Sequence, residues 1–140
     1  MHISVGDIPP IEQVLTLYDA VGWSAYTHDP AKLIRSLAGS HLVITTRDDD
    51  GTLVGLVRTV SDGESICYVQ DILVHPEAQR RGVGRELMGE ILKRYSHCMF
   101  IALSTDAATS LDALRSHPFY RSMGFQAHPD LGLAAFGYRP

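Results

Sequence analysis

The chain has 140 residues, of which 45% are hydrophobic and 20% charged, and its formal net charge is −4. That length and apolar content suit one globular domain over residues 1–140 with a core of its own; a disordered chain would carry fewer apolar residues and more net charge. The acidic balance speaks against nucleic-acid binding through bulk positive charge. Cys67 and Cys98 cannot form a disulfide scaffold and read as small buried apolar residues. The histidines show no H-x-x-x-H spacing and no C-x-x-C occurs, so no metal is expected. The first residues lack the basic flank and apolar stretch of a signal peptide. No apolar run reaches the roughly 18 to 20 residues of a membrane span. A cytoplasmic protein without a membrane partner is the expectation.

Residues 2–5 read as a short strand. Apolar residues at 11, 14, 15 and 18 predict a helix face after Pro9-Pro10, closed at Gly22. Asp29-Pro30 reads as an N-cap with proline at the first helical position, opening a helix over 30–38 that stops near Gly39. Residues 41–47 are β-branched and apolar, and the polar turn Asp48-Asp49-Asp50-Gly51 leads to a second strand over 52–60. Ser61-Asp62-Gly63 then leads to a third over 64–74. Short turns between successive strands predict an antiparallel meander. From Gly82 to about Tyr95, Val83, Leu87, Met88, Ile91, Leu92 and Tyr95 form one stripe on a 3.6-residue period. Residues 99–103 suit a buried strand, parallel to its neighbour because a helical crossover precedes it. Helices are expected over 109–117 and 119–123, with Pro118 interrupting, and final strands at Phe125 and over 133–138. The order β-α-α-β-β-β-α-β-α-β-β describes an α/β domain with a mixed, mostly antiparallel sheet.

The most informative stretch lies between the third strand and the long helix: Asp71-Ile72-Leu73-Val74-His75-Pro76-Glu77-Ala78-Gln79-Arg80-Arg81-Gly82-Val83-Gly84-Arg85. A helix N-terminus exposes unpaired N–H groups and the positive end of its dipole. Gly82 and Gly84 remove side chains that would keep an anion away, and Arg80, Arg81 and Arg85 add charge there. This pattern suits a diphosphate. The nucleotide-hydrolase pattern G-x-x-x-x-G-K-[ST] fails, because Gly84 is followed by Gly89 and then Glu90. The dinucleotide fingerprint G-x-G-x-x-G fails at Leu87.

Gln79-Arg80-Arg81-Gly82-Val83-Gly84, directly after a strand ending Ile72-Leu73-Val74, fits Q-x-x-G-x-G. It resembles motif A of the GNAT superfamily of acetyl-CoA-dependent N-acetyltransferases. Downstream, Phe119-Tyr120-Arg121-Ser122-Met123-Gly124-Phe125 is similar to the F-Y-x-x-x-G-F segment of that superfamily, and the element order matches over nearly the whole chain. Within the superfamily, Gly22-Trp23, Lys32-Leu33, Ser40, Gly55, Arg58, Asp62 and residues 71–76 resemble the serotonin N-acetyltransferase group of plant and cyanobacterial type. Between Ser104 and Phe119 the chain is several residues longer than that group.

The resemblance implies a GNAT fold and direct transfer of an acetyl group from acetyl-CoA, as cosubstrate, to a small-molecule amine or a protein lysine. It also implies that such proteins are often homodimers. Residues 79–85 would hold the diphosphate, and the backbone of Ile72, Leu73 and Val74 would pair with the pantetheine arm as an added strand. An attacking amine must be neutral, and an alkyl ammonium has a pKa of about 10.4, so a base is needed. Asp71 takes that role by the resemblance, with Glu64 and His75 as fallbacks; the alternative for Asp71 is a carboxylate paired with Arg58 or another cation. Strand alternation places Asp71 and Gln70 on opposite faces. Tyr120 is the implied proton donor to the departing sulfur, or else a packed core tyrosine. Asp106 either contacts the pantetheine arm or caps a helix. Trp23 and Tyr26 either line an aromatic acceptor pocket or belong to the core. A non-catalytic acetyl-CoA-binding module on the same fold is the competing reading.

Overall fold

The computed structural model describes residues 1–140, which divide into two compact units, Met1–Ser104 and Thr105–Pro140. In the first unit, five strands form one sheet in sequential order. β1 (His2–Val5), β2 (Leu42–Arg47), β3 (Leu53–Ser61) and β4 (Ile66–Val74) are antiparallel neighbours, and β5 (Phe100–Leu103) runs parallel to β4. Side-chain turns fold the meander back on itself. Asp48 accepts the amides of Asp50 and Thr52 at 3.0 and 2.9 Å. Asp62 accepts those of Glu64, Ser65 and Ile66 at 3.0, 2.8 and 3.2 Å. With the Ser65 hydroxyl as the largest contribution, these donors hold the Asp62 carboxyl well below the usual carboxylate range.

Helices cover both faces of the sheet. On one side lie α1 (Ile11–Ala20), α2 (Ser24–Thr27) and α3 (Pro30–Ala38). As the sequence predicts, Asp29 caps α3, accepting the Lys32 amide at 3.2 Å, with Pro30 in its first turn. Val14, Leu17, Tyr18, Leu33 and Leu37 pack there on Val43, Leu53, Leu56 and Leu73. α4 (Val83–Arg94) occupies the other face. A Cβ on Gly55 would stand 2.7 Å from Val83 Cγ1 and 3.0 Å from Leu87 Cδ1, so glycine is what lets α4 lie this close to β3.

One irregularity positions the site. The β3–β4 register passes from Arg58↔Asp71 to Thr59↔Val69, which makes Gln70 the extra residue of a β-bulge in β4. β5 pairs with β4 only from Ile66↔Phe100 to Val69↔Leu103. Residues 70–74 therefore have no partner strand on that side.

The second unit holds α5 (Ala113–Ser122) and a 3₁₀ turn, His128–Leu131. The two helices expected around Pro118 are one, beginning at Ala113 with Pro118 inside it. Proline deprives the Leu114 carbonyl of its donor, but Leu114 is 75% exposed and solvent can supply the partner. The final strands expected at Phe125 and over 133–138 do not form: no strand follows β5. A strand exists only against a neighbour that completes its ladder. Instead, the Leu133 amide bonds back to the His128 carbonyl at 2.9 Å, Gly132 turns at φ +74°, and residues 131–140 are exposed. Cys67 is buried as expected, and burial pushes its thiol up to about 12, whereas Cys98 is only half-buried. No helix is long and apolar enough to cross a membrane.

Candidate active site

β4 leads into α4 through His75, a 3₁₀ turn (Pro76–Ala78) and residues 79–82. Gly82 is the N-cap of α4 in the left-handed region, φ +83°, with open space where a Cβ would stand. Arg80, at φ +64°, is the one non-glycine residue with positive φ, a strained conformation kept beside the helix start. The first bond of α4 runs from the Glu86 amide to the Gly82 carbonyl at 3.0 Å, and no side chain caps the helix. The Val83 and Gly84 amides thus have no intrahelical acceptor. Buried Val83 anchors the turn, while Arg80, Arg81, Gly82 and Arg85 are exposed and neither Arg80 nor Arg81 is in an ion pair. The Gln79 side chain donates to the Val74 carbonyl at 3.2 Å, tying the loop to the end of β4. The whole loop offers amides, positive charge and room to an anion.

A polar cluster sits under the bulge. Asp71, 4% exposed, pairs with the Arg58 guanidinium through Nε. Tyr18 donates to its Oδ2 and Tyr26 to its Oδ1, each at 2.9 Å. Arg58 also donates to the Tyr26 hydroxyl at 3.2 Å and to Ser40 Oγ at 3.4 Å. Burial, then the charge of Asp71, pushes the Tyr18 phenol far above its ordinary value. For Arg58, burial opposes the charge, but the hydrogen bond and charge of Asp71 outweigh it and hold the guanidinium above its usual value. The carboxylate expected to be a free base is therefore held in an ion pair with both oxygens occupied.

Gln70 corrects the alternation argument. Its Nε2 lies 3.3 Å from the Tyr26 hydroxyl, so Gln70 and Asp71 reach the same phenol rather than opposite faces. The bulge is the reason, because an extra residue breaks the period of two. The two fallback bases are placed elsewhere. Glu64 precedes β4 at its far end, on the order of 20 Å along the strand from Asp71. His75 accepts the Glu77 amide on Nδ1 at 3.1 Å, so the neutral ring carries its proton on Nε2 and has no free lone pair.

Trp23 and Tyr26 are half-buried and pack against the core with Tyr18; the Tyr18 ring lies 5.9 Å from Trp23 and 5.1 Å from Tyr26. In the second unit, Tyr120 packs at a tilt against Phe119 and edge-to-face against Phe125, with ring centroids at 5.2 and 5.9 Å. Burial pushes its phenol up, partly offset by a hydrogen bond with Thr105. Asp106 accepts from Ser116 Oγ at 2.8 Å, and its carbonyl meets His117 Nε2 at 2.6 Å. It ties the preceding loop to α5 rather than capping that helix, whose N-cap is Asp112. Sequence reasoning missed Tyr18 and Gln70 as members of the cluster. The only local signal was an arginine and an aspartate on successive strands, which demand polar partners once buried.

Residues 9–125 match the family described as "Acetyltransferase (GNAT) family". A GNAT family acetyltransferase from Streptococcus pneumoniae TIGR4 is 33% identical, with TM-score 0.83, covering 99% of this chain and 97% of that one. An uncharacterized N-acetyltransferase of Gracilaria tenuistipitata var. liui is 26% identical over 99% of this chain and 74% of its own length. The aminoglycoside N-acetyltransferase AAC(6')-Iy, solved in complex with CoA, is 17% identical with TM-score 0.66 over 99% of this chain and 95% of that one, and shares the fold.

Proposed function

The chain belongs to the acetyltransferase (GNAT) family, and on that premise we propose that it moves an acetyl group from acetyl-CoA to a primary amine by direct attack on the thioester. One observation carries this reading: a glycine-opened helix start, flanked by Arg80, Arg81 and Arg85, follows a strand whose residues 70–74 have no partner on one side. The diphosphate takes the amides of Val83 and Gly84 together with the guanidinium groups. The amide-rich arm pairs with the backbone of Ile72, Leu73 and Val74, as a peptide does when it extends a sheet. A backbone N–H of that strand also faces the carbonyl oxygen as it becomes an oxyanion, a contribution of about 3 kcal/mol in comparable sites.

Two protons must move. The amine loses one toward Asp71, which is reached only through its hydrogen-bonded partners. The sulfur gains one from Tyr120, the donor that the F-Y-x-x-x-G-F segment implies; its raised phenol keeps that proton at neutral pH. Resemblance to the serotonin N-acetyltransferase group, together with half-buried Trp23 and Tyr26, makes a small aromatic amine the first acceptor to try and a protein lysine the second.

A panel of amines incubated with acetyl-CoA, with thiol release and product mass followed together, tests this. Acetylated product is expected from at least one amine. Tyr120→Phe keeps the ring and should lower kcat by about 10²-fold. Saturable acetyl-CoA binding with no amine acetylated would favour the non-catalytic module instead.

A further inference from the structure

We propose that Tyr26 is the proton port of the site: its hydroxyl, rather than the Asp71 carboxylate, meets the acceptor nitrogen and relays the proton inward to Asp71. This rests on the acetyl-transfer reading above. Asp71 is enclosed, its Oδ2 taken by Tyr18 and Arg58 and its Oδ1 by Tyr26. No amine reaches it without displacing a donor. Of the three donors, Tyr18 is 0% and Arg58 6% exposed, and Tyr26 alone is half-buried. The Tyr26 oxygen accepts from buried Arg58 and from exposed Gln70, the bulge residue of β4, at the level where pairing with β5 ends, and it is the exposed Gln70 amide that the amine displaces. It therefore stands between the buried carboxylate and the strand edge assigned to the thioester.

The step balances. Attack of the neutral amine on the thioester carbonyl forms the C–N bond and leaves a cationic nitrogen, a far stronger acid than a free ammonium. Its N–H bond breaks as the Tyr26 Oη takes that proton and passes its own to Asp71 Oδ1. Collapse of the oxyanion expels the sulfur with the C–S electron pair, and the thiolate takes a proton from Tyr120. Asp71 then returns its proton through Tyr26 to solvent, and solvent reprotonates Tyr120. The charged and titratable groups facing the relay are Tyr18 from α1, Arg58 from β3 and Asp71 itself. Tyr18 stays protonated and Arg58 stays charged through the neutral range, so neither competes for the proton.

Tyr26→Phe keeps the ring against Tyr18 and Trp23 and removes only the hydroxyl. With an amine that the wild-type chain acetylates, kcat should fall about 10²-fold near neutral pH with the acetyl-CoA KM unchanged. The deficit should narrow toward pH 9, where hydroxide and buffer take the proton. Fluorotyrosine in place of Tyr26, which acidifies the phenol without changing its shape, should shift the pH profile of kcat. Unchanged kcat in Tyr26→Phe overturns the inference, as does a pH-independent loss accompanied by a raised KM, or an unmoved profile with fluorotyrosine. A wild-type chain that acetylates no amine overturns the acetyl-transfer reading and this inference with it; wild-type turnover retained in the variant overturns the inference alone.

Discussion

Asp71 shows how a residue chosen for one task is bound to another. Its carboxylate is the counter-charge of a guanidinium that is 6% exposed, and burial makes that pairing compulsory. Asp71→Asn keeps the size and one acceptor but strands the charge of Arg58. Denaturant unfolding should show a loss of about 3 to 5 kcal/mol. A loss below about 1 kcal/mol would mean that solvent already reaches Arg58. Turnover of this variant is informative only where it remains folded, which makes Tyr26→Phe the cleaner probe of proton transfer. The sequence supplied Asp71 through its motif, and pairing with Arg58 through the charges on successive strands. Tyr18 was not legible as a partner. On the helix face at 11, 14, 15 and 18 it fits the apolar stripe, and periodicity does not distinguish a ring that only packs from one whose hydroxyl ends on a carboxylate 53 positions away.

At the scale of elements, the seat of α4 fixes where residues 79–82, assigned above to the diphosphate, stand. Val83 and Leu87 occupy the space beside Gly55 that a Cβ would need. Gly55→Ala should push the helix start outward, cost about 1 to 3 kcal/mol by overpacking, and weaken acetyl-CoA affinity while sparing the Asp62 turn at the other end of β3. Melting temperature and cosubstrate affinity, measured on the same preparation, check this; an unchanged pair would show that α4 shifts freely. Elements with local causes were legible. The Asp29-Pro30 cap, the Asp48 and Asp62 turns, the α4 stripe and the parallel β5 each follow from a few neighbouring residues or from one crossover. What failed depends on partners distant in the chain. Residues 133–138 form an apolar run but find no ladder, and the Gln70 bulge, which leaves no mark in local sequence, decides which side chains meet Tyr26.

For the whole molecule, a net charge of −4 would repel the polyanionic cosubstrate proposed above if charge acted as a sum. It does not, because the Debye length is about 8 Å at physiological salt, so a bound diphosphate senses the guanidinium groups beside it and little of the rest. The same argument makes binding sensitive to ionic strength and to the two arginines that are in no ion pair. Calorimetric titration of acetyl-CoA into the wild-type chain and into an Arg80→Ala, Arg81→Ala variant, at low and high salt, tests this most directly. Saturable binding is expected for the wild type, weaker at high salt and about tenfold or more weaker in the variant. Absence of saturable binding, or equal affinity in the two proteins, would contradict the assignment of this loop to the diphosphate.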